Sequence, residues 1–186
     1  MNFSTFTKNQ LVITQLNRLF NTLEVQRNEL LQELKPYKTE VLYKQPAGKW
    51  SIAQILAHLI ASEQLSVAYL NKKILGIETA QNTGVVEALK MIALILSQRL
   101  PFKFKAPRKI VDNTPVYETM DKLILDWDTT RTELKEVLKK FEDIHLKRKI
   151  YRHPIAGMLN IQQALRFLRE HIIHHTPQIK NLLKQK

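Results

Sequence analysis

The residues in this chain with the widest chemistry are its six histidines, and two of them, His171 and His175, stand four positions apart in a segment of helical periodicity. There is no cysteine, which excludes a disulfide framework, a thiolate zinc site, an iron–sulfur cluster and a cysteine nucleophile; any metal must be held by His, Asp or Glu. On a wheel of about 100° per residue with His171 at zero, the apolar positions Ala164, Leu168, Ile179 and Leu182 fall within about 20–80°, and His175 falls inside that stripe at about 40°. His171 lies at its edge beside Gln178, and His174 is further toward the polar side. Two imidazoles pointing into a core need partners for their nitrogens, and one shared cation satisfies a nitrogen of each. The i, i+4 pair is the spacing that helical metal sites use. Two core histidines hydrogen-bonded to backbone or side chains, or a helix rotated so that one faces solvent, are the alternatives open at this level.

A two-histidine site wants a third ligand, and the chain offers His58, His145, His153 and several carboxylates. His58 is the best candidate. It follows a capping Ser51 by seven residues, about 10 Å down its helix, while His171 follows Asn160 by eleven, about 16 Å down its own. In an up-down-up-down bundle, helices 2 and 4 run in the same direction, and these depths nearly coincide. Against this, His58 sits at the edge of its helix's apolar face, about 100° or more from the centre near Ile52, Leu59 and Leu70.

Weaker candidates surround these three. Glu63, near the centre of its helix's apolar face, reads either as a carboxylate that orients an imidazole or acts as general base, or as an ion-pair partner of one of the many lysines. Gln178 reads as a hydrogen-bond partner of a ligand or substrate, or as a core-edge amide. Tyr69 lines a pocket or simply packs. His145 and His174 are expected to be exposed, and His153 to belong to a structural loop. Trp50 is expected as a hydrophobic staple at the start of its helix, and Trp127 as core.

The elements that must carry these residues are helices. From about Thr5 to Leu34, Leu11, Leu16, Leu19, Leu23 and Leu30 recur at helical spacing until Pro36. Ser51 and Gln54 form a capping-box pattern opening a helix to about Leu75, and Asn160 with Gln163 repeats that logic for the last helix. A short apolar helix spans about Thr83 to Arg99, followed by a basic connector punctuated by Pro101, Pro107 and Pro115. Another long helix follows from about Tyr117 to Phe141. No strand-like alternation is visible. The expected fold is therefore all-α, one domain over residues 1–186: an up-down-up-down four-helix bundle with an extra short helix and the basic proline-containing connector between bundle helices 2 and 3.

Composition narrows the function. Four glycines and no G-x-G-x-x-G or G-x-x-x-x-G-K pattern argue against dinucleotide and P-loop chemistry. The longest apolar run, Met91 to Leu96, falls far short of the roughly 20 residues a membrane helix needs, and the N-terminus lacks the pattern of a signal peptide. A cytoplasmic, soluble protein with no membrane partner is expected. With 29 Lys+Arg against 17 Asp+Glu, the net charge is +12. The basic runs, at Lys103–Lys109, Lys139–Lys140, Lys147–Arg152 and Lys180–Lys186, are scattered over loops and helix ends without a recognition motif, so specific nucleic-acid binding is not expected and a small anionic molecule is as good a partner.

Taken in order, Gly48-Lys49-Trp50-Ser51 with His58-Leu59, then His153-Pro154 with Gly157 and Leu159, then His171 and His175 with Gln178-Ile179, resemble the DinB/YfiT-like family of metal-dependent proteins. The similarity spans nearly the whole chain. It implies a four-helix bundle, commonly a homodimer, with a divalent metal held by His58, His171 and His175. Family members transfer low-molecular-weight thiols such as bacillithiol, or isomerise maleylpyruvate using mycothiol. The resemblance thus implies a small-molecule substrate, a divalent metal of the zinc, nickel or iron type and a low-molecular-weight thiol cofactor. A three-imidazole site leaves zinc one open position, where a water or thiol loses its proton more readily, so either thiol transfer or hydrolysis would be open to it. The competing reading keeps the fold and discards the chemistry: a non-catalytic dimer or ligand-binding bundle.

Overall fold

The computed structural model describes residues 3–99 and 108–184. The helices are α1 (Phe3–Leu34), α2 (Thr39–Tyr43), α3 (Ile52–Lys73), α4 (Val85–Arg99), α5 (Arg108–Asp112), α6 (Met120–Leu138) and α7 (Ile161–Lys184), with an antiparallel pair of strands, β1 (Tyr151–His153) and β2 (Gly157–Leu159). The all-α expectation holds, with α1, α3, α6 and α7 as the long helices. Residues 101–107 of the basic connector lie outside the described residues; beyond them the connector contains the single short helix α5.

Capping chemistry sets where the two histidine-bearing helices begin. The Lys49 N–H donates to the Pro46 carbonyl (3.0 Å), closing a turn in which Gly48 has φ +68°, a left-handed conformation that glycine adopts without steric cost. Ser51 follows, and its Oγ accepts from the Gln54 N–H (3.1 Å) while Gln54 Oε1 accepts from the Ser51 N–H (2.8 Å). Asn160 and Gln163 make the same reciprocal pair before α7. Each box satisfies two helix-terminal donors that have no partner within the helix.

The order of the long helices differs from the expected up-down-up-down. Arg27 pairs with Asp128 (2.7 Å) and Glu24 with Arg131 (3.0 Å), so α1 and α6 run antiparallel. Glu63 meets Arg131 while Asn71 meets Lys140, so α3 and α6 run parallel. His58 faces His171, whereas Ser66, further along α3, bonds Tyr151, which precedes α7; those two helices are antiparallel. The bundle is therefore up-down-down-up. The reason is the long excursion over residues 74–119. Its helix α4 packs along α7 and, at 15 residues, spans about 22 Å, enough to return the chain so that α6 starts at the end where α3 starts.

The stripes read from sequence form the core: Leu16, Leu23 and Leu30 of α1, Ile52, Leu59 and Leu70 of α3, Trp127 and Leu134 of α6, and Leu168 and Ile179 of α7 are all buried. Leu11 and Leu125, expected on those stripes, are exposed. The strands are a second correction. They are three residues each, too short for alternation to register, and Gly157 at φ +77° closes their turn.

Candidate metal centre

Three imidazole nitrogens converge between α3 and α7. His171 Nε2 lies 3.2 Å from His58 Nε2 and 3.2 Å from His175 Nε2, and one ligand atom from each of the three histidines falls within 4.8 Å of the others. Bonds of about 2.0–2.1 Å to a tetrahedral zinc ion set nitrogen–nitrogen separations near 3.3 Å, close to both observed distances. His58 is buried and His171 and His175 are partly buried. Helices α3 and α7 are antiparallel, so the expected parallel arrangement is not what brings His58 and His171 to one level.

The surroundings fix the rings for this convergence. Gln178 Oε1 accepts the Nδ1–H of His175 (3.0 Å), which leaves the Nε2 lone pair of that ring aimed inward. Gln178, read as a hydrogen-bond partner of a ligand or substrate or as a core-edge amide, bonds the His175 ring. The Phe167 ring stacks on His171 (centroids 5.6 Å, planes 16° apart), and Trp50 stands against His58 at 5.2 Å. Hydrogen bonding alone leaves this cluster incomplete. If His171 Nε2 carries its proton, it has two imidazole acceptors to serve at 3.2 Å each. A cation accepting three lone pairs uses every inward nitrogen, so the donor set fits a divalent metal of the kind that takes imidazole.

Electrostatics agrees with neutral rings. Burial pushes His58 down to about 4, with the neighbouring His174 adding to it. Burial likewise lowers His175 to about 4, opposed by its bond to Gln178. His171 lies well below its ordinary value through burial first and then the adjacent His175 and His58. Neutral imidazole is the form that ligates.

The other candidates are placed as follows. Glu63 accepts from Arg131 Nε (2.7 Å) and Nη2 (2.8 Å) and from Trp127 Nε1 (3.0 Å); among the described residues its hydrogen bonds go to α6, with the cation an arginine and not a lysine. Trp127 is core, as expected. Tyr69 packs edge-on to Tyr151. His145 corrects the expectation of exposure: it is 4 % exposed, its Nδ1 accepts from the Glu142 N–H (3.0 Å), and its Nε2–H donates to Glu78 (2.7 Å). His174 is partly buried against the His175 ring. His153 accepts from the N–H groups of Ile155 (3.1 Å) and Ala156 (3.0 Å) and so ties its own turn, a structural loop as read.

Three contributors escaped the sequence reading. Phe167 carried a usable signal, since it precedes His171 by four residues and must share its face. Arg99 grips buried Glu170 with two hydrogen bonds of 3.0 Å, tying α4 to α7 beside His171, and no spacing within either helix could reveal that. Trp50 was read as a staple, but it packs on the His58 ring.

A family model described as the DinB superfamily matches residues 22–179. The chain belongs to the DinB superfamily. The matched span contains all three converging histidines and Gln178, together with α3, α6 and α7 as far as Ile179. No curated protein and no solved structure matched the chain.

Proposed function

We propose that this DinB-superfamily chain is a metal-dependent enzyme acting on a small molecule, either as a thiol S-transferase or as a hydrolase, with His58, His171 and His175 as its ligands. The convergence of three Nε2 atoms, two pairs of them at 3.2 Å, is the observation that supports this reading. A divalent ion held there would supply one open position at which a thiol or water is acidified.

The chain's own residues do the rest. Gln178 holds the His175 proton on Nδ1 and so keeps Nε2 available. Phe167 and Trp50 restrict the rings of His171 and His58 and keep water from their flanks. In thiol transfer the S–H proton leaves to solvent, sulfur bonds to the electrophilic carbon, and the bond to the leaving group breaks. Incubating zinc- or nickel-loaded protein with small thiols and electrophilic acceptors, beside ester and amide substrates, tests this reading. Turnover is expected to require metal and to vanish in His171→Ala. Equal turnover by chelator-treated protein would contradict it.

A further inference from the structure

Two stretches of the chain that the metal centre does not use meet at the far end of α3. Lys72 and Lys73 close that helix, about 21 Å along its axis from His58, and the basic run Lys147–Arg152 runs into β1. Hydrogen bonds to the backbone sew the chain that follows α3 onto this run: the Lys149 N–H donates to the Gln81 carbonyl (2.8 Å), the Thr83 N–H to the Lys147 carbonyl (2.7 Å), and Arg148 Nη1 to the Ala80 carbonyl (2.6 Å). Between them lies a cavity of about 330 Å³, lined by Lys72, Lys73 and Lys149 and by Gly76, Ala80, Ile150 and Met158.

The lining divides into an apolar floor and a cationic rim. Ile150 is buried and Met158 half-buried, and a Cβ on Gly76 would meet nothing within 4 Å, so the backbone there borders open space. Lys72 and Lys73 are exposed, and among the described residues neither has a carboxylate partner; Lys73 stands 5.7 Å from the centroid of the Tyr69 ring. Lys149 pairs with Glu87 (2.9 Å), and no Asp or Glu is among the described lining residues. Arg152 adds a fourth cation beside the cavity, because it lies opposite Met158 in the hairpin and cross-strand partners share a face. Lysines in the last turn of α3 also complement its carbonyl end, but that accounts for two of the cations and not for the two from the second stretch.

We propose that this cavity binds a small organic phosphate, with Lys72, Lys73 and Lys149 around the phosphate and Ile150 and Met158 beneath the apolar part. With Glu87 offsetting Lys149, Lys72 and Lys73 leave two positive charges at the rim. They match the roughly −1.5 to −2 of a phosphomonoester at neutral pH better than the single charge of a carboxylate. Lysine meets phosphate as a point charge and needs no fixed fork geometry. The volume lies at the low end for small-molecule pockets, which suits one compact molecule and not a polymer. Occupancy of this cavity does not depend on metal at the three-histidine centre.

Titration of the full chain with phenyl phosphate, followed through the carbon-13 signals of labelled methionine methyl groups, tests the proposal. The Met158 signal is expected to move, while that of Met120, which opens α6 at the end where α3 starts, is expected to stay. Inorganic phosphate is expected to compete only at higher concentration, and benzyl alcohol, which lacks the charge, not to compete. Lys72→Gln/Lys73→Gln is expected to keep its helical circular dichroism and lose affinity for phenyl phosphate by about tenfold, and Arg152→Gln, on the hairpin, by about threefold. Lys35→Gln/Lys38→Gln removes the same charge from exposed positions ahead of the start of α3 and is expected to bind as wild type does. Four results would overturn the proposal. They are an unmoved Met158 signal, full affinity in both the Lys72→Gln/Lys73→Gln and Arg152→Gln variants, equal binding of inorganic phosphate or benzyl alcohol, and an equal loss in Lys35→Gln/Lys38→Gln, which would reduce the effect to general attraction by the net charge of +12.

Discussion

At the scale of single residues, Gln178 and Glu63 separate most clearly. Gln178 bonds the Nδ1 side of His175, so under the proposed metal site Gln178→Ala is expected to weaken zinc binding by about 10–100-fold with little loss of fold, and Gln178→Glu to restore it; competition with a zinc-chelating dye measures both. Glu63 is a buried carboxylate whose loss would strand Arg131 without its main partner. Glu63→Ala is expected to destabilise by about 3–5 kcal/mol in urea unfolding while bound metal per folded protein stays unchanged. The depressed histidines set a pH dependence. His58 and His153 titrate near 4 in the fold through burial, against about 6.5 when unfolded, so the unfolded state binds more protons between those values. Metal-free protein is therefore expected to keep this stability above pH 6.5 and to lose it as pH falls toward 4, at up to about 1.4 kcal/mol per pH unit for each group. Flat stability over that window would contradict the burial of neutral rings. His171 and His175 were legible from one wheel, because both lie on one amphipathic helix. His58 was legible only as a candidate, because its position at the edge of an apolar face gains meaning from α7, which the local pattern does not contain.

At the scale of elements, helix starts were legible and helix directions were not. Ser51-x-x-Gln54 and Asn160-x-x-Gln163 encode their boxes within four residues, whereas the parallel run of α3 and α6 depends on where residues 74–119 return the chain. This order is open to a direct check. In the up-down-down-up arrangement Asn71 and Lys140 share one end of the bundle, so a short bis-maleimide is expected to cross-link Asn71→Cys/Lys140→Cys within one chain. An up-down-up-down bundle would put them at opposite ends, and no such cross-link would form. The short strands were missed for a related reason: three residues carry too little periodicity, and the pairing of Tyr151 with Leu159 is stabilised by the turn at Gly157 and by His153.

At the scale of the whole molecule, the four-helix core, the DinB-superfamily assignment and the histidine cluster belong together. The helices bury their stripes against one another, and where α3 meets α7 three neutral imidazoles turn their Nε2 atoms together, an arrangement that a shared cation would satisfy. The net charge of +12 is distributed over surfaces the core does not need, which is why composition alone did not say what it faces. The measurement that bears most directly on the three-histidine centre is elemental analysis of tag-free wild-type protein beside His171→Ala/His175→Ala, each purified without added metal and again after incubation with zinc or nickel. About one equivalent of metal in wild type and none in the variant is expected from three ligands around one ion. Equal metal content in the two proteins, or none in wild type even after incubation, would contradict the metal centre.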